Sequence, residues 1–171
     1  MEPALLIVAA AIVAYGPAYI ANMAPPLAKS LRLPGAKPIW PRRLGTHKTY
    51  RGLFSGIGAG AVTGAVLHWL HLGWYGTHDA GESAAAGALI GLAAMVGDAL
   101  KSAAKRAVGV PAGQPFVPWD QIDFIIGASL LVLPLGIAGW PEALAALLIT
   151  PVLHLLVNVG AYLVGLKEVW W

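Results

Sequence analysis

In the stretch GDALKSAAKR, Gly97 to Arg106, the residues Asp98, Lys101, Ser102, Lys105 and Arg106 stand at i, i+3, i+4, i+7 and i+8. On a helix these spacings put all five on one face. Two further carboxylates, Asp120 and Asp123, are three residues apart in DQIDF, at the start of the next apolar run. Carboxylates hold a divalent cation such as Mg2+, and lysine and arginine hold phosphate oxygens. The mixture therefore suits a magnesium-nucleotide site, where the ion and the basic side chains neutralise charge on a transferring phosphate. Each piece also has an ordinary explanation. Asp98 and Lys101 make an i,i+3 pair at a helix end, and an aspartate that opens a helix is a common N-cap. Three carboxylates on adjoining helix ends, beside five or more cations, go beyond those explanations.

A second cluster is RRLGTHKTYRG, Arg42 to Gly52. Lys48 and Thr49 offer an ammonium and a hydroxyl to a triphosphate, although the segment lacks the spacing of a P-loop. Contact with anionic lipid headgroups would explain its charges but not GTHKT.

The elements that must position these groups are apolar helices. Hydrophobic residues make up 58% of the chain and charged ones only 11%, well below the quarter or so typical of soluble domains. An all-α integral membrane protein, one transmembrane domain over residues 1–171, is the expectation. The chain has no cysteine, which excludes disulfides, thiolate nucleophiles and thiolate metal ligands. Its net charge of +3 is read through placement along the membrane, and nothing in it points to nucleic acid.

Crossing a bilayer takes roughly 20 apolar residues of helix. Five spans fit, over residues 3–24, 52–72, 82–106, 120–138 and 141–165, with a bend expected at Gly16-Pro17. The N-terminal run follows only Glu2 and is too long for the core of a cleaved signal, so it is expected to be retained. In the third span only residues 83–97 are uncharged, about 22 Å of helix, so Asp98 must be carried to membrane depth or near it. With five spans, all eleven Lys and Arg fall on one side: seven in loop 25–51, Lys101, Lys105 and Arg106 at the end of the third span beside loop 107–119, and Lys167 at the C-terminus. Glu2, Asp79, Glu82 and Glu142 lie on the other side. The positive-inside rule then puts the N-terminus outside and the C-terminus and the site on the cytoplasmic side of the cell membrane.

Gly52, Gly56, Gly60 and Gly64 recur every four residues and predict a helix face open to close backbone approach. His154 and Asn158, i and i+4 in the fifth span, either line a lipid-phosphate cavity or bond between helices. Asn22 precedes Pro25-Pro26, where it either satisfies freed carbonyls or meets nucleotide. His68, His71 and His78 carry no assigned chemistry, and the tryptophans, Trp170 and Trp171 among them, read as an interfacial belt. Ser102 bonds either a phosphate or its own helix backbone.

GTHKTYRG resembles the lysine-threonine-aromatic-x-glycine segment of the CTP-dependent phosphatidate cytidylyltransferases. GDALKSAAKR followed by PWDQIDF resembles their signature, in which GD, S, KR and D-x-x-D recur in this order. The short five-span form, with ANMAPP and HLLVN, is similar to the CDP-archaeol synthases, the branch that acts on archaeal ether lipids. One departure is that Val117-Pro118-Trp119 stands where the bacterial and eukaryotic enzymes have a histidine-glycine-glycine segment. The resemblance implies transfer of the cytidylyl group of CTP to an isoprenoid ether-lipid phosphate, with pyrophosphate released. It implies Asp98, Asp120 and Asp123 as metal ligands, with Lys101 beside them in catalysis. Lys48, Thr49, Ser102, Lys105 and Arg106 would bind phosphates. A CTP-dependent polyprenol kinase and a small transporter are the rival readings. The CDP-alcohol phosphotransferases are excluded by the absence of their DGxxAR motif.

Overall fold

The computed structural model describes residues 2–111, 114 and 116–165. Lys167, Trp170, Trp171 and, in the break after the third predicted span, Gly113 and Pro115 lie outside the described residues. The chain forms helices α1 (Pro3–Ala14), α2 (Gly16–Ser30), α3 (Pro41–Leu44), α4 (Tyr50–Trp69), α5 (Ala80–Ala107), α6 (Trp119–Val132) and α7 (Trp140–Leu163). Among the described residues the sole strand-like feature is one antiparallel bridge between Pro38 and Thr49.

The predicted bend is present: α1 and α2 meet at Tyr15 at an angle of 51°. Pro17, at the start of α2, has no N–H to continue the ladder. Tyr15 is fully buried and its hydroxyl bonds that of Ser129 at 2.8 Å. Tyr19 bonds Thr150 in the same way at 2.9 Å, and Tyr75 donates to Ala14 O at 2.9 Å. Three tyrosines thus tie the bend to α6, to α7 and to the α4–α5 connection.

Two boundaries differ from the sequence reading. Helix α2 runs through Pro25 and Pro26 to Ser30, so part of the expected loop 25–51 is helical. A proline removes only its own N–H, and Gly52 of α4 leaves room for the ring of Pro25, which would lie 3.3 Å from an added Cβ. Helix α6 ends at Val132 rather than at 138, because Pro134 cannot extend it and Gly136 takes a left-handed φ of +66°. By length and apolarity alone α5 and α7 can each cross a membrane, and the bent α1–α2 pair can make a third crossing. Helix α6, with 14 residues, is about 21 Å long, short of a core about 30 Å thick. Helix α4 has the length but includes Gly52, Gly56, Gly58, Gly60 and Gly64, and so lacks apolarity.

Helix α5 is central, packed against α2, α4 and α6. The glycine face of α4 meets a matching face of α5 that the sequence reading did not pick out. A Cβ on Gly60 would overlap the carbonyl oxygen of Gly87, and one on Gly64 that of Ser83. One on Gly91 would lie 2.7 Å from Gly56 O. A second seam joins α5 to α6: Gly97 packs on Gly127, with a Cβ on Gly97 falling 2.5 Å from Asp123 O. Small residues at such contacts let helices gain van der Waals packing where no hydrophobic drive separates lipid from protein.

Gly60→Leu should therefore cost roughly 1–3 kcal/mol or more through overpacking against backbone that cannot yield. Gly58→Leu, a site with nothing within 4 Å, should unfold at or above the wild-type temperature. Equal thermal unfolding of the two variants in detergent would show that the α4–α5 face is not a packing seam.

Candidate active site

The Gly97–Gly127 contact sets Asp98 of α5 beside Asp123 of α6. One turn further along α5, the Lys101 ammonium lies between them. Its Nζ is 2.7 Å from Asp120 Oδ1, 2.8 Å from Asp123 Oδ2 and 3.3 Å from Asp98 Oδ1. Lys48, from the loop before α4, pairs with the other oxygen of Asp98. Lys105 pairs with Asp120 at 3.2 Å to each oxygen and donates to Gln114 O at 2.5 Å. Three carboxylates and three ammoniums thus form one network. The Asp123 side chain is 6% exposed and that of Lys105 8%, a depth at which an unpaired charge would be costly.

Backbone groups fix the acids from outside. The Phe116 N–H donates to Asp120 Oδ2, and the Phe124 N–H donates to Asp123 Oδ1 at 2.6 Å. Arg106 turns to Val110 O at 2.5 Å, and its Nε is buried without a hydrogen-bond partner. Ser102 is buried and donates to Asp98 O at 2.9 Å, so of its two readings the structure shows the bond to its own helix. Thr49 is the N-cap of α4 and accepts from Gly52 N–H at 3.2 Å, an arrangement that leaves its hydroxyl proton for another acceptor.

Lys48 is held in place by the loop as well as by Asp98. Ile39 N–H donates to Lys48 O, Tyr50 N–H to Lys37 O and Arg51 N–H to Gly35 O, all within 3.1 Å. These bonds fold residues 35–51 back on themselves. Under the loop, beside Asp98, is a cavity of about 250 Å³. Its walls include Pro25, Leu44, His47, Leu53 and Met95, with Lys48 and Thr49 at the polar side. His47 was not singled out in the sequence, where an isolated histidine in a basic loop carries no signal. A larger cavity, about 460 Å³, lies at the far end among α1, Trp74 and the α6–α7 turn. It contains none of the candidate residues, and its one acid, Glu142, accepts from Gly139 N–H at 2.9 Å.

The donor set fits a hard divalent cation in its chemistry: three carboxylates and no competing soft ligand. Asp123 Oδ2 is buried and faces Lys101 without accepting a well-aligned hydrogen bond. Among the described residues, however, no three His, Cys, Asp or Glu side chains are grouped as a ready ligand set. The point on which the carboxylates converge is the lysine nitrogen.

The remaining sequence candidates stand apart. Asn158 is buried in α7 and bonds His154 Nδ1 at 3.1 Å. Asn22 is half-buried in α2, one turn before Pro26. His68 bonds His78 O at 2.8 Å, and His78 stacks on Trp74.

Comparison with known proteins agrees with the sequence resemblance. The family model described as CarS-like CDP-archaeol synthase matches residues 5–171. The CDP-archaeol synthase of Pyrococcus abyssi is 39% identical over 163 residues, 91% of this chain and 93% of the relative. That of Methanococcus aeolicus is 34% identical over 164 residues, 91% and 92% of the two chains. A solved structure reported as an intramembrane enzyme for archaeal membrane lipid biosynthesis superposes with a TM-score of 0.72 at 31% identity, covering 87% of this chain and 92% of that one.

The Lys48–Asp98 pair anchors the loop to α5. In Lys48→Met, trypsin should cut after Arg42 and Arg43 several-fold faster than in wild type. An unchanged cleavage rate would mean that the backbone bonds alone hold the loop.

Proposed function

The chain belongs to the CDP-archaeol synthase family, and on that premise we infer that its lysine-aspartate network is where CTP and the phosphate of an archaeal ether lipid react. The enzyme transfers the cytidylyl group of CTP to that phosphate, giving a CDP-lipid and pyrophosphate. The observation that carries the site assignment is the convergence of Asp98, Asp120 and Asp123 from two helices with Lys48, Lys101 and Lys105 at one end of the bundle.

A phosphate monoester is already a nucleophile near neutral pH, so the reaction needs alignment and charge neutralisation rather than a general base. Lys48 and Thr49 orient the triphosphate, with the adjoining cavity beside Asp98 for the rest of the nucleotide. Lys101, Lys105 and Arg106 hold phosphate oxygens of either substrate, while Ser102 secures the backbone at Asp98. Asp98, Asp120 and Asp123 would hold Mg2+, which would supply neutralisation of the triphosphate charge.

We read the chain as a single multi-pass domain in the cell membrane with five passes: α1–α2 together, α4, α5, α6 with its following turn, and α7. The C-terminal part of α5, with Lys101 and Lys105, and the loop before α4, with Lys48, meet the acidic start of α6 at the network, which supports a cytoplasmic site on the positive side. The acids Asp79, Glu82 and Glu142 cap helices at the other end. A site confined to one end favours an enzyme over a transporter, which would need access from both faces.

Purified protein with Mg2+, α-labelled CTP and an ether-lipid phosphate should give labelled, lipid-extractable product with release of pyrophosphate. Label reaching a polyprenol only from the γ-position would make the protein a kinase instead. Asp98→Asn and Asp123→Asn should each lower turnover by ~10²-fold or more, the scale of a lost charge-stabilising group, with helicity retained. Wild-type turnover at saturating Mg2+ in either variant would overturn the metal assignment.

A further inference from the structure

Lys101 is the group that all three candidate carboxylates share. Its Nζ faces one oxygen each of Asp98, Asp120 and Asp123 at 3.3, 2.7 and 2.8 Å, and a divalent cation held by the same residues would draw on those oxygens. Two cations cannot share the point on which they converge: they repel, and the carboxylate lone pairs that face one are lost to the other. Lys48 and Lys105 lie to the outside, each on a single acid.

Of the groups at this point, the lysine is the one built to move. Asp123 is buried and bonded to the Phe124 N–H, and Asp120 is bonded to the Phe116 N–H. Both acids have short side chains on helices locked together through Gly97 and Gly127. Lys101 carries its charge on a flexible four-carbon stem. It lies one turn from Asp98 on α5, and its ammonium, unlike Asp120 and Asp123, is held by no backbone group among the described residues.

Resting on the reading that the three aspartates hold a divalent metal, we propose that Lys101 is a place-holding cation. It neutralises the carboxylates until the metal takes them, and then carries its charge to the phosphates of the nucleotide. The exchange keeps the charges paired throughout: the acids pass from ammonium to metal as the ammonium passes from acids to phosphate. Metal and nucleotide therefore favour each other's binding, with Lys101 as the link.

The test is equilibrium binding of Mn2+, followed by electron paramagnetic resonance, to detergent-solubilised protein without nucleotide. K101M should bind Mn2+ at least about tenfold more tightly than wild type, since a competing cation is gone. K101R should stay near wild type, and K101M/D123N should lose the gain. Mn2+ should also raise the unfolding temperature of K101M more than that of wild type. Where K101M is too unstable to purify, K101Q, which keeps N–H donors but not the charge, carries the same expectation. Equal or weaker binding by K101M, with wild-type binding still sensitive to D123N, overturns the place-holder alone. A gain that persists in K101M/D123N places the metal away from the aspartates and overturns the metal assignment as well.

Discussion

The structure depends on keeping three carboxylates together at the end of an apolar bundle, and the Lys101 ammonium is what permits it. Asp98, Asp120 and Asp123 would repel one another and lose hydration if brought this close without a counter-charge. Lys101 faces all three, and Lys48 and Lys105 complete the balance. The geometry further requires that α5 and α6 approach to backbone contact, which Gly97 and Gly127 allow. Side chains at those two positions would push the helices apart and separate Asp98 from Asp123. The glycines of α4 do the same for the loop, bringing Lys48 within reach of α5.

The division of labour follows from the membrane. Helices satisfy their own backbone, so the acids are placed on α5 and α6, where their positions are rigid. The basic loop before α4 lies outside the spanning helices and closes on itself through the bonds of residues 35–51, so it can present Lys48 and Thr49 to a nucleotide. The bend at Tyr15 and its hydroxyl bonds to Ser129, together with Tyr19 to Thr150, tie the first helices to α6 and α7. Cytidylyl transfer to a phosphate monoester suits such a site, because it asks for fixed charges in the right places rather than for a proton shuttle.

Much of this was legible in the sequence. The i, i+3, i+4, i+7 spacing of Asp98 to Lys105 put those groups on one face, and the structure brings that face against Asp120. The four-residue glycine repeat predicted the α4 seam, and Gly16-Pro17 predicted the bend. The matching face of Ser83, Gly87 and Gly91, and the Gly97–Gly127 pair, were not legible. Pairing between two helices is a tertiary fact, and isolated glycines in apolar runs look alike. The ends of α2 and α6 were misplaced for a related reason. Pro25-Pro26 reads as a stop unless a neighbour such as Gly52 makes room, whereas Pro134 with Gly136 does stop its helix. Nor could spacing reveal that the carboxylates gather on a lysine, since charge pairing across helices depends on their rotation.

The most direct measurement is a crystal structure of the protein with CTP and Mn2+, using anomalous scattering to locate the metal. The expected result is a Mn2+ peak bound by Asp98, Asp120 and Asp123, with the α-phosphate of CTP beside it and the triphosphate near Lys48. A Mn2+–CTP complex bound elsewhere, with the lysine-aspartate network undisturbed, would contradict it.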